Sequence, residues 1–255
     1  MALAFTVFAS LDNLCIRPSL PAHTAFGGYA EYIVRPENGV VKAPDSDGLN
    51  YEKLACILWS YGTVFHMMNG RAELHPGESV LITGASGGMG TAAIQLSKFA
   101  GARPIIALSS NTWKSKSLLA AGADVVLNYR DIDIRQQIFA HTNSGFGVDV
   151  VLDSVGGPIA QLGIDAARMG GRVVLAATMG GSTIELDLRQ IFVKNLTLLG
   201  ARASTRRDQE TVLQLAAGGI INPIISHTFL LEEVVEATKL LESGQHVGKI
   251  VLVRK

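Results

Sequence analysis

Cysteine is scarce: only Cys15 and Cys56 occur in 255 residues. Two are too few for a disulfide framework or a closed four-cysteine zinc site. An intracellular, cytoplasmic location is the expectation. An excess of either charge is also lacking, since 22 Lys+Arg face 22 Asp+Glu. That balance gives no electrostatic ground for binding nucleic acid or an acidic membrane surface. No uninterrupted apolar run approaches about 18 residues, so no membrane-spanning helix is expected. The opening residues 1–10, MALAFTVFAS, are apolar but carry no basic leader, which makes a poor signal peptide. Internal repeats and low-complexity segments are missing too. What is plentiful is apolar surface to bury: 48% hydrophobic against 17% charged residues describes a well-packed globular chain. The length suits one large domain, or one domain with a fragment of another.

The most informative stretch is 78–102, ESVLITGASGGMGTAAIQLSKFAGA. The run Val80-Leu81-Ile82 is short enough for a buried strand. It breaks at Gly84-Ala85-Ser86-Gly87-Gly88-Met89-Gly90, and a helix is expected over 91–100. Strand, glycine turn and helix form the context a dinucleotide fingerprint needs. Ala85 takes the place of the first glycine of GxGxxG, with Gly87 and Gly90 in register. Glycine lets the main chain approach a pyrophosphate, and the free amides of the helix's first turn hold the anion.

Upstream, 28–41 reads as a hairpin about a Pro-Glu-Asn-Gly turn. Residues 51–74 read as a helix whose apolar stripe includes Leu54, Leu58, Val64, Phe65 and Met68. Downstream, strands are expected at 104–108, 125–127, 148–152, 172–176, 196–199, 224–229 and 250–253. Helices are expected at 113–120, 132–140, 159–169, 187–194, 206–217 and 232–242. Alternation of this kind predicts an α/β, Rossmann-type doubly wound parallel sheet.

The end of the second strand bears on the nucleotide. An NAD site places an acid roughly 20 residues beyond the glycine turn to accept from the ribose 2′-hydroxyl. Here Ser109-Ser110-Asn111 stands in that place, with Lys114 close behind. Two hydroxyls and an ammonium can bind a 2′-phosphate, so NADP(H) is the expected cofactor. Lys114 equally fits a solvated helix lysine, as Lys116 does.

These motifs together resemble the medium-chain dehydrogenase/reductase family of zinc-type alcohol dehydrogenases and quinone reductases. The likeness rests on Gly27-Gly28-Tyr29-Ala30-Glu31-Tyr32, His75-Pro76-Gly77-Glu78 and the glycine turn. Gly122-Ala123-Asp124, Asp153-Ser154-Val155-Gly156 and Gly248-Lys249-Ile250-Val251-Leu252 extend it. The resemblance implies that Gly87, Gly88 and Met89 cradle the pyrophosphate. It sets Ser110, Lys114 and Tyr129 at the adenosine 2′-phosphate, and Thr63 near the nicotinamide. Ser154, Ala177 and Thr178 would line the ribose and nicotinamide channel, and Lys249 would reach the phosphates or stand as a sheet-edge lysine. It also implies a homodimer through the edge strand at 196–201, Leu196 to Ala201.

The resemblance divides the chain into 1–60, a remnant of a β-rich (GroES-like) catalytic domain, 61–205, the NADP-binding Rossmann domain, and 206–255, a C-terminal segment completing the fold. Cys15 resembles the last cysteine of the family's structural zinc lobe, and Cys56 lies close to a catalytic ligand position. Neither has a set of three ligands, so no metal is expected. The remaining chemistry is hydride transfer to an enone, quinone or related carbonyl compound. Such a small-molecule acceptor needs a donor near its oxygen. Tyr61, His66 and Thr178 are candidates, although for each a satisfied structural role is the reading to expect first. The alternative is a non-redox catalyst or an NADPH-binding protein that keeps the cofactor fold without the standard catalytic lobe.

Overall fold

The computed structural model describes residues 11–20, 24–142 and 145–254; the expectation for residues 1–10 lies outside them. Six strands form one parallel sheet: β1 Val80–Ile82, β2 Ile105–Ser109, β3 Val125–Asn128, β4 Val148–Asp153, β5 Ala167–Leu175 and β6 Thr197–Gly200. Their order is β3-β2-β1-β4-β5-β6, and every neighbouring pair runs parallel. A parallel sheet is covered on both faces, which explains strands without polar alternation. Val80, Ile82, Ile105, Ala107, Val150 and Leu152 point into one core cluster. Leu81, Ile106, Leu108 and Val151 point into the other.

The first face is covered by α1 Tyr51–Phe65 and α2 Gly88–Phe99. Asn50 starts α1 by accepting a hydrogen bond from the Lys53 amide at 3.0 Å, the usual work of an N-cap. Ile57, Tyr61, Val64 and Met68 follow at helical spacing and are buried. The expected helix over 51–74 is present, but its last part, His66–Ala72, winds as a π-helix and ends at Glu73 in the left-handed region (φ 49°). The other helices are α3 Ser115–Ala121, α4 Ile134–Ala140, α5 Gly157–Ala166, α6 Leu188–Lys194, α7 Arg206–Ala217 and α8 Val234–Ser243. No described helix is long and apolar enough to cross a membrane.

Two expectations are corrected. Segment 28–41 forms no hairpin; its one regular element is the short 3-10 turn Glu37–Gly39. Tyr29, Tyr32 and Val34 are exposed, so no face of this segment is buried to fix a strand register. The last two strands, β7 Ile225–Leu230 and β8 Lys249–Val253, do not extend the main sheet. They pair in parallel with each other as a separate two-stranded sheet. Strand β8 reaches the glycine turn instead, where the Gly248 amide donates to the Ser86 carbonyl at 2.8 Å.

Candidate functional site: a glycine turn between two lysines and a cavity beside it

Helix α2 begins inside the glycine turn, three residues earlier than the sequence pattern predicts. Gly87 is its N-cap and supplies no side-chain hydrogen bond. An α-helix leaves its first amides without partners inside the helix; here they belong to Gly88, Met89 and Gly90. The glycines have separate causes. Gly84 takes a left-handed conformation (φ 58°) where the chain leaves β1. A Cβ on Gly90 would run into the Gly84 carbonyl and the Ala85 backbone, so Gly90 fixes how closely the helix crosses the turn. Gly87 is different: its φ of −81° suits any residue. A Cβ there would meet nothing closer than the Gly84 oxygen at 3.5 Å. Neither backbone angle nor packing demands glycine at 87, whereas a diphosphate lying against the turn would. The cradle fits that group.

Two ammonium groups flank the turn. A Cβ at Gly88 would collide with the Lys249 side chain, which lies over it. Burial pulls the Lys249 ammonium below its ordinary pKa, opposed by nearby Cys56. Lys114 is only 5% exposed, which excludes the solvated-lysine reading. Its Nζ donates to the Gly244 carbonyl at 2.7 Å and to Ser86 Oγ at 3.3 Å, and burial lowers its pKa. His246, which the sequence pattern did not single out, lines a cavity of about 300 Å³ with Gly87, Gly88 and Lys249. Its Nδ1 is buried without a hydrogen bond. Burial, then Lys114 and His227, lower its pKa.

Beyond β2, the Ser110 hydroxyl accepts from Asn111 Nδ2 at 3.2 Å. Tyr129 packs partly buried against the second core cluster, with the Arg130 guanidinium 5.8 Å from its ring centre. At the end of β4, the Ser154 amide donates to Thr83 Oγ1 at 3.1 Å, and its hydroxyl donates to the Thr83 carbonyl at 3.3 Å. Asp153 is fully buried there. It accepts from Thr83 Oγ1 at 2.6 Å and from the Gly156 amide at 2.8 Å. Burial raises its pKa against the pull of those donors. This brace between β1 and β4 was not apparent in the sequence.

A second cavity, of about 720 Å³, opens at the C-terminal ends of β5 and β6. Ala177, Thr178 and His66 share its wall with Asn13, Arg71 and Arg202. Two of the candidate donors, His66 and Thr178, are thus brought together. Tyr61 is placed elsewhere: it is 2% exposed within the core, and burial pushes its hydroxyl pKa far up. Thr63 is also buried, and its hydroxyl donates back to the Trp59 carbonyl at 2.6 Å, so its polar end is committed within α1. Among the described residues, no three His, Cys, Asp or Glu side chains gather as a metal site. Cys56 is buried, and its thiol lies 3.2 Å from the Glu52 carbonyl.

Ligands of open α/β sheets bind outside the C-terminal ends of the strands, where the strand order reverses. Both the turn after β1 and the cavity beyond β5 lie on that edge, and the sheet order marks a dinucleotide-binding fold. The chain belongs to the zinc-binding dehydrogenase family, whose model matches residues 88–218. It is 34% identical over 183 residues to an acryloyl-coenzyme A reductase of Metallosphaera sedula, covering 71% of this chain and 52% of that one. It is 30% identical over 237 residues to a quinone oxidoreductase of Homo sapiens, covering 90% and 70%. The chain therefore spans about half the length of the first relative. A crystal structure of an NAD-dependent alcohol dehydrogenase superposes with a TM-score of 0.89 at 30% identity, covering 98% of this chain and 72% of that one. A 2-octenoyl-CoA carboxylase reductase in complex with NADP and 2-octenoyl-CoA superposes with 0.74 at 27% identity, covering 83% and 51%.

Proposed function

We propose that this chain is an NADPH-dependent, zinc-independent oxidoreductase that reduces an enone, quinone or related carbonyl compound. The observation that carries the reading is Gly87, a glycine required by neither angle nor packing at the mouth of a helix flanked by Lys114 and Lys249. Gly87, Gly88 and Met89 would hold the diphosphate through backbone amides and the helix dipole. Ser110, Lys114 and Tyr129 would take the 2′-phosphate. Ser154, Ala177 and Thr178 would border the ribose and nicotinamide. Lys249 adds charge beneath the diphosphate, and His246 offers an unpartnered nitrogen to the same cradle.

When bound, a reduced nicotinamide supplies a hydride. The protein's part is to orient the acceptor, exclude water and stabilise charge growing on its oxygen. Zinc independence is supported by the scattered placement of Cys15 and Cys56. A homodimer through the 196–201 edge is supported by the position of β6 at the end of the sheet, since a sheet edge left open invites pairing. The test is loss of nicotinamide absorbance on mixing the protein and NADPH with a panel of enones and quinones. Turnover that is faster with NADPH than with NADH is expected. Tight NADPH binding with no turnover on any acceptor would instead indicate a binding protein or a non-redox catalyst.

A further inference from the structure

We infer that His66, oriented by Asp208, is the group that delivers a proton to the reduced acceptor in the cavity beyond β5, an inference resting on the reductase reading above. His66 Nδ1 lies 3.0 Å from Asp208 Oδ2, and both side chains are largely buried. The same carboxylate oxygen accepts from the Thr205 amide at 2.9 Å and its hydroxyl at 2.8 Å. Asp208 therefore completes the capping box of α7 without His66. The imidazole is an addition to a cap already satisfied.

Three further observations give the pair a purpose. The first is the local backbone: His66 opens the π-helical stretch His66–Ala72, and such turns are rare and concentrate at functional sites. The second is Gly70. A Cβ there would stand 2.7 Å from both Cε1 and Nδ1 of the His66 ring, so glycine is kept at 70 to let the imidazole lie where it does. The third is Asn13, whose Nδ2 stands 3.2 Å from His66 Nε2 while its Oδ1 is buried without a partner. Its amide nitrogen also donates to the Arg202 carbonyl at 3.1 Å. As it stands the carboxamide donates to Nε2, and turning it over to present Oδ1 to a protonated Nε2 gives up the bond to Arg202.

His66 and Asn13 share a cavity with Ala177 and Thr178. An acceptor that has gained a hydride at its β-carbon from the reduced nicotinamide carries an electron pair at its α-carbon. The Nε2–H bond of imidazolium His66 breaks and a Cα–H bond forms, and the former N–H pair stays on the ring. Nε2 then regains its proton from water. The alkene is reduced, the nicotinamide is oxidised, and the protein returns unchanged. Asp208 is the positioning residue: it holds Nδ1–H, so Nε2, beside Asn13 in the cavity wall, is the nitrogen left to give up a proton.

The test uses the whole chain with NADPH and an α-substituted cyclic enone in deuterated water. Wild type should place deuterium on one face of the α-carbon. His66→Gln should lower turnover by roughly 10²–10⁴-fold, the usual worth of a positioned acid, scramble that face, and keep NADPH affinity. Gly70→Ala, which displaces the ring from another side, should also scramble it. Independently of turnover, nitrogen-15 shifts should show Nδ1–H on His66 in wild type and lose that tautomer preference in Asp208→Asn. Unchanged rate and face selectivity in His66→Gln would overturn the inference and leave the reductase reading standing. Absence of turnover in wild type would overturn both, with calorimetry of NADPH separating lost binding from lost chemistry.

Discussion

The Lys114 ammonium and the Gly244 carbonyl are 2.7 Å apart, so the lysine expected to select a phosphorylated adenosine is tied to the turn that follows α8. Burial disfavours its charge, and a 2′-phosphate would give that charge a partner stronger than a carbonyl. Lys114→Ala should weaken NADPH binding by about 1.5–3 kcal/mol, the scale of a lost hydrogen bond to a charged group, and leave NADH nearly unchanged. Titration of both coenzymes against the variant checks this; equal losses would remove Lys114 from the 2′-phosphate site.

The brace between β1 and β4 gives a prediction about stability. Thr83→Val keeps the shape but leaves buried Asp153 without its hydroxyl donor at 2.6 Å. A buried acceptor deprived of its partner costs about 1–3 kcal/mol. Urea unfolding should show that loss with an unchanged denaturant slope.

Acid should act through Asp208. Burial alone would raise its pKa, but hydrogen bonds from His66 and Thr205, with the nearby imidazole, hold it below the ordinary carboxylate range. The stabilisation is therefore complete above the unfolded carboxylate pKa and disappears as pH falls through the lower folded value. The stability gap between wild type and Asp208→Asn should shrink as pH falls through the acid range in which Asp208 takes up its proton. A gap that widened with acid would reverse the assignment.

If the proposed reductase reading holds, a chelator should leave the activity intact, because that reading assigns the chemistry to the coenzyme and to side chains at the cavity, with no role for a metal. Assay after dialysis against a chelator, with and without added zinc, measures this. Loss restored by zinc would contradict zinc independence.

Much of the fold was legible because buried parallel strands are short continuous apolar runs, as in Val80-Leu81-Ile82 and Val150-Val151-Leu152. Helix α7 follows the expected 206–217 closely, since its capping box and apolar spacing agree. Apolar periodicity marks a strand but not its neighbour, and so it does not separate β7 and β8 from the main sheet. The 28–41 segment has strand-forming residues but no buried face, and propensity yields to that context. The glycine turn was readable because its chemistry is local. The His66–Asp208 pair was not, since 142 positions separate partners that only tertiary packing brings together. Tyr61 looked like a donor because its type was right; burial, which no local pattern reveals, removes it.

Coenzyme calorimetry on wild type and Gly87→Val tests the central claim most directly. Wild type should bind NADPH more tightly than NADH. The valine, whose Cβ meets nothing closer than the Gly84 oxygen at 3.5 Å, should abolish binding of both by filling the space beside the free amides. Undiminished affinity in Gly87→Val would show that the turn holds no diphosphate, and the reductase account would go with it.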